Sequence, residues 1–258
     1  DGCMPLMHGG QGCTSLTKVY YTRHFSEPIA IQTSAVTDAI AVLDGGDYSI
    51  VESVKNITQK VTPSLIGLYT TGLPETKGDD IRGVAANIDY PLVYANTPDY
   101  EGGFESGWAL TCKALIEQLT EPAGKINDNK LVLLPHVSLQ PIEVEKIKEF
   151  IEGVGFNVLA VPDLSTSLDG HLGEKQAALS SGGISVEDIR TLGDAGLVIS
   201  VGDSMQTCAA ALQKKNPAIR HQHFSHLQGI EAADQLAELL LAETGFSRPN
   251  ASVVRWRK

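Results

Sequence analysis

Residues 64–96 read SLIGLYTTGLPETKGDDIRGVAANIDYPLVYAN, and this stretch decides the fold. Ser64–Thr70 is a short apolar run of the kind that makes a strand buried on both faces. A polar, Gly- and Pro-bearing loop, Thr70–Glu75, follows it. Gly78–Asn87 carries Ile81 and Val84 at helical spacing, and Leu92–Asn96 is a second apolar run. Strand, helix and strand in that order form one βαβ unit, whose strands are parallel and whose crossover is right-handed.

The same rhythm extends both ways. Upstream, Ile29–Thr33 reads as a strand and Ser49–Lys60 as a helix with apolar Ile50, Val51, Val54 and Ile57. Downstream, Phe104–Leu119 is a longer helix, and the polar stretch Thr120–Lys130 (TEPAGKINDNK) marks a domain boundary. Beyond it come a strand at Leu131–Pro135, a helix at Pro141–Gly153, a strand at Phe156–Val161 and a long loop. A helix from Ser185, with Asp188 in the S-x-x-D capping position, leads to a strand at Leu197–Val201. A helix at Ser204–Lys214, a strand at Ile219–Phe224 and a helix at Ile230–Glu243 complete the pattern. The expected architecture is α/β, with two doubly wound, Rossmann-like parallel-sheet domains over residues 1–124 and 125–258. Ligands of such sheets sit outside the carboxyl ends of the strands, so the loops there are where function is sought.

Composition sets the bounds. The chain has 258 residues, 42% of them hydrophobic, which is ample for a sizeable core and excludes a disordered chain. Twenty Lys and Arg against 31 Asp and Glu leave a net charge of −11, which argues against a phosphate-backbone binder. No apolar run approaches the roughly 18–20 residues that span a bilayer. The four cysteines, Cys3, Cys13, Cys112 and Cys208, contain no C-x-x-C pair, and with no signal-peptide pattern a cytoplasmic location is expected. The chain opens without Met and stops amid Val253-Val254-Arg255-Trp256, which reads as a fragment cut at both ends.

Candidate sites lie in the loops. His8-Gly9-Gly10-Gln11-Gly12-Cys13-Thr14 lets the backbone approach a ligand closely and places Cys13 near the positive end of a following helix, which favours a thiolate ligand or nucleophile. A buried thiol in a tight turn explains the same residues. It is neither G-x-G-x-x-G nor a Walker loop. The loops 70–75 and 96–108 are polar and Gly-rich, but no base stands beside a nucleophile in sequence, so hydrolase chemistry is not expected. Asp203-Ser204 reads as a helix cap. His221 and His223 share a strand face and could present two imidazoles to a metal, although a solvated strand end accounts for them better. Asp163–His171 is a binding loop or a plain Asx-turn linker.

The long motifs make the chain recognisable. MPLMHGGQGCTSLTKVYYTRHFSEP (4–28), TTGLPETKGDD (70–80), NTPDYEGGFESGW (96–108), VPDLSTSLDGHL (161–172) and SSGGISVEDI (180–189) together resemble the nitrogenase component 1 family, in order and over nearly the whole chain. Within that family the resemblance is to the N-type subunit of the scaffold on which the iron–molybdenum cofactor is assembled. It implies that Cys13 ligates a [4Fe–4S] cluster at the interface with an E-type partner, in an α2β2-like heterotetramer. It also implies that a cofactor precursor is held transiently and mainly by that partner, and that the nitrogenase iron protein and cofactor carriers dock. Family members have about three Rossmann-like domains, so the resemblance covers the first two and the third is absent. The alternative is a catalytic β-type subunit of a nitrogenase-like oxidoreductase, but such subunits carry a Cys where this chain has Gly72. The family's ligand is not at Cys3, and Cys112 and Cys208 read as core thiols. Gly10 stands where relatives commonly have Ser, and Arg23 and His24 read as a structural corner beside the cluster loop.

Overall fold

The computed structural model describes residues 1–24, 30–34, 36, 46–166, 178–179 and 181–244. It contains two four-stranded sheets, every pairing of which is parallel. The chain divides into two compact units, one of residues 1–114 and 167–186 and the other of residues 115–166 and 187–258.

The first unit runs β1 (Cys3–His8), α1 (Gln11–His24), β2 (Gln32–Thr33), α2 (Asp47–Lys60), β3 (Leu65–Thr70), α3 (Gly72–Lys77), α4 (Ile81–Ala86), β4 (Leu92–Ala95) and α5 (Phe104–Leu119). Its sheet order is β2-β1-β3-β4, so the winding reverses between β1 and β3. Met4, Leu6, Ile66 and Leu68 from the central strands are buried against Ile50, Val54 and Ile57 of α2 and Ile81 and Val84 of α4. Val51, one residue off that stripe, is exposed, as a helix with a single apolar face requires. Leu179 also packs on this core, and the carbonyl of Ile184 accepts from the amino terminus of Asp1 at 2.8 Å.

The second unit runs β5 (Asn127–Leu134), α6 (Pro141–Gly153), β6 (Asn157–Ala160), α7 (Val186–Arg190), β7 (Ala195–Val201), α8 (Gln206–Lys215), β8 (Arg220–Phe224) and α9 (Ile230–Thr244), in the order β6-β5-β7-β8. All seven residues of β7 are buried, as befits a central parallel strand covered on both faces. Leu131, Leu133, Val144, Ile151 and Leu240 share its core.

The parallel α/β architecture is as expected, and four details differ. The strand read at Ile29–Thr33 is only Gln32–Thr33, with Ile29 outside the described residues. The loop Thr70–Glu75 winds into α3, which Gly78 ends in the left-handed conformation at φ 78°. The helix read at Gly78–Asn87 therefore starts only at Ile81, where the Asp80 carboxylate caps it by accepting from Gly83 N at 2.9 Å. Finally, β5 begins at Asn127, inside the polar stretch read as a boundary. Among the described residues no helix is long and apolar enough to cross a membrane.

Candidate metal centre at the carboxyl ends of the first sheet

The winding reversal of the first sheet opens its crevice between β1 and β3, whose last paired residues are His8 and Thr70. From there the two chains part, β1 into Gly9–Gly10 and α1, β3 into Thr71 and α3. They remain laced together. Thr71 donates to the His8 carbonyl from its backbone N at 3.1 Å and from Oγ1 at 3.3 Å. The Gly9 carbonyl accepts from Val36 N at 3.1 Å and Thr33 Oγ1 at 3.3 Å. A side chain at position 9 would overlap Thr71, and one at 72 would overlap the Asp99 carboxylate, so both glycines are sites of close approach. The loop after β4 joins the same edge. Thr97 donates from N to Thr70 Oγ1 and from Oγ1 to Thr70 O, each at 2.8 Å, while Glu75 Oε1 accepts from the Thr70 hydroxyl and from Asn96 Nδ2.

Cys13 lies in the first turn of α1 and is exposed. Leu16 and Tyr20 stand three and seven residues on, on the same helical face, 73% and 54% exposed, and Val19 beside them is also exposed. Exposed apolar side chains flanking a thiol on one helix make a contact surface. The other cysteines are elsewhere. Cys3 opens β1 at the opposite end of the strand, and burial pushes its thiol pKa up. Cys112 and Cys208 are buried in α5 and α8. Among the described residues no three His, Cys, Asp or Glu side chains are placed to hold a metal ion. The donor set is thus one exposed thiol, which fits a metal cluster only if the remaining ligands come from another chain.

Two polar chains, the first buried and the second at a partly exposed strand end, escaped sequence reading, because their members lie far apart along the polypeptide. In the first, Asp79 Oδ2 sits 2.9 Å from His8 Nε2, and His8 Nδ1 sits 2.7 Å from Ser34 Oγ. In the second, Asp203 Oδ1 is 3.0 Å from His223 Nε2, and Ser200 Oγ is 3.0 Å from His223 Nδ1 and 2.8 Å from His221 Nε2. Each has the residue order of a hydrolase triad. Neither can serve as one, since Ser34 and Ser200 are 4% and 0% exposed and their hydroxyls are already engaged. Asp203 therefore braces a strand-end histidine instead of capping a helix, and the Ser204 hydroxyl is buried without a hydrogen bond. His221 and His223 do share one face, but it is directed at Ser200. In the loop after β6, Asp163 accepts from Ser165 N, Ser165 Oγ and Lys148 Nζ, which is a structural turn. Asp169, His171 and the side chains of Arg23 and His24 lie outside the described residues.

Comparison with known proteins places this geometry. Residues 1–258 match the family described as nitrogenase component 1 type oxidoreductase. The chain belongs to that family. Among component 1 relatives, it is 36% identical over 260 residues to the nitrogenase iron-molybdenum cofactor biosynthesis protein NifN of Mesorhizobium japonicum, covering 97% of this chain and 56% of that protein. It is 33% identical over 256 residues to NifN of Nostoc sp., covering 96% and 57%. The solved structure titled nitrogenase Cp1 at pH 6.5 superposes with a TM-score of 0.90 at 29% identity, covering 98% of this chain and 56% of that one. The chain thus spans a little over half the length of the component 1 relatives it matches.

Proposed function

We propose that this chain is part of an N-type scaffold subunit on which the iron–molybdenum cofactor of nitrogenase is assembled, and that Cys13 ligates a [4Fe–4S] cluster shared with an E-type partner subunit. The observation that carries the reading is Cys13 itself. It is an exposed thiol in the first turn of α1, set among exposed Leu16, Val19 and Tyr20, with no second ligand among the described residues of its own chain. A lone thiolate beside an apolar helix face suits a cluster buried between two chains, to which the partner contributes three ligands. When bound, such a cluster supplies one-electron transfer at the interface, and the residues of this chain supply one ligand and the surface that closes over it.

The names of the relatives support the assembly role, and the precursor is held transiently, mainly by the partner. A net charge of −11 suits steering by basic faces of the nitrogenase iron protein and of cofactor carriers in the cytoplasm. The scaffold reading makes this subunit non-catalytic. A catalytic β-type subunit is disfavoured because Gly72 stands in the strand-end loop where such subunits carry a cysteine ligand.

The test is anaerobic co-expression of the full-length parent with an E-type subunit, native against Cys13→Ala. Loss of the interface cluster, read as iron per heterodimer and as the reduced-state EPR signal, is the expected result. An unchanged spectrum and iron content would remove Cys13 from the cluster.

A further inference from the structure

The buried chain that ends at His8 runs on into the loop bearing Cys13. Ser34 Oγ, which lies against His8 Nδ1, also accepts from the backbone N–H of Gly9 at 3.3 Å. Every proton then has one consistent place. Gly9 N–H donates to Ser34 Oγ, the Ser34 hydroxyl donates to His8 Nδ1, and His8 Nε2–H donates to the Asp79 carboxylate. The imidazole is neutral in this arrangement and both of its nitrogens are occupied. The ring is 0% exposed, and the Asp79 side chain is 4% exposed with Lys77 Nζ 3.4 Å away. Space is allotted to match, since a side chain at Gly46 would overlap the His8 ring.

We propose that Asp79, His8 and Ser34 form a positioning relay that holds the Gly9–Cys13 segment in one conformation, so that the Cys13 thiol is presented ready to ligate. The inference rests on the reading of Cys13 given above. Its physical basis is that the Gly9-Gly10 pair leading into α1, whose first turn carries Cys13, has little local restraint of its own. Gly9 and Gly10 each lose more backbone entropy on ordering than any other residue would. Beside the bonds that the Gly9 carbonyl accepts, the loop is pinned from behind at the Gly9 N–H by the Ser34 hydroxyl, which the adjacent His8 ring and the distant Asp79 carboxylate hold in place. The geometry of a metal site is set in the same way by the hydrogen bonds behind its ligands. His8 touches no ligand position and acts only through Ser34 and the backbone, so it is a positioning residue.

The test uses the full-length chain co-expressed with an E-type subunit, comparing native protein with Ser34→Ala and Asp79→Asn. Ser34→Ala removes the link to Gly9, while Asp79→Asn keeps the shape and removes the charge. Hydrogen exchange is followed over residues 9–14 in the metal-free complex, with β5 and β7 as internal references. The expected result is exchange in that segment faster by about tenfold or more, with the references unchanged. In the reconstituted complex the cluster EPR signal should broaden while cooperative melting is retained. Native-like exchange at 9–14 in both variants would overturn the proposal. So would a loss of cooperative melting in both, because the relay would then brace the whole sheet and not the loop. Cys13→Ala in parallel separates the two claims. A cluster retained in that variant defeats the assignment of Cys13, whatever the exchange data show.

Discussion

His8 shows what a single residue contributes here and how little of it can be read locally. Burial, the largest influence, lowers its pKa against the pull of Asp79. The unfolded chain therefore takes up a proton near the ordinary value of about 6.5 before the native protein does. The sign follows. The stability tied to neutral His8 is fully present above that value and is lost as pH falls from it toward the lower native pKa. His221, lowered by burial and by His223, adds a decline of the same sign. The urea midpoint should fall between about pH 7 and pH 5, and His8→Gln should be less stable at pH 7 with a shallower decline. Equal slopes in the two proteins would show that His8 is not the titrating group. The place of Cys13 was legible from its neighbours, because glycines followed by a helix start put it in an exposed first turn. His8 stands in the same loop, but its partners are 26 and 71 residues away.

At the scale of elements, the helical period placed α2, α5, α6 and α9 closely, since each carries a long amphipathic stripe. Short elements were read less well, because they are defined by what they pack against. β5 is the instructive case. Its first residues, Asn127–Lys130, look like linker, yet they run in the central strand because their backbone finds β7 and Lys130 finds a partner set. The Lys130 ammonium donates to Thr191 O at 2.8 Å, and to Thr191 Oγ1 and Asp194 Oδ1, each at 2.7 Å. Lys130→Ala should destabilise the protein by about 1–3 kcal/mol, read from the urea midpoint, since it removes the packed stem of a buried lysine and its three charge-assisted hydrogen bonds. Gly46, just before α2, is the matching case in the first unit. Gly46→Ala would drive a Cβ into the buried His8 ring, and a loss of about 1–3 kcal/mol is expected in thermal or urea melts. A stability within about 0.5 kcal/mol of native would mean the ring has room to move.

At the scale of the whole molecule, the exposed stripe of α1 carries the prediction. Leu16→Glu and Tyr20→Glu should leave melting of the chain nearly unchanged, because Leu16 is mostly in water and Tyr20 is more than half exposed, giving up little beyond its edge-on contact with Tyr21. Each should weaken co-purification with an E-type subunit, with the dissociation constant rising by about tenfold or more for a residue central to the interface. Unchanged association would move the partner surface elsewhere. By itself the sequence determined the parallel α/β architecture, through its alternation of apolar runs and amphipathic helices. It determined the acidic charge and, through motifs spread along the chain, the family. These are local or additive properties, carried by neighbours or by sums. Tertiary structure alone decided that Asp79, His8, Ser34 and Gly9 form one hydrogen-bonded chain, and that the two strand-end histidines of β8 meet at Ser200. It also decided that Cys13, Leu16, Val19 and Tyr20 of α1 are exposed. Those facts depend on directional contacts between residues distant in sequence, and only the packed sheet brings them within reach.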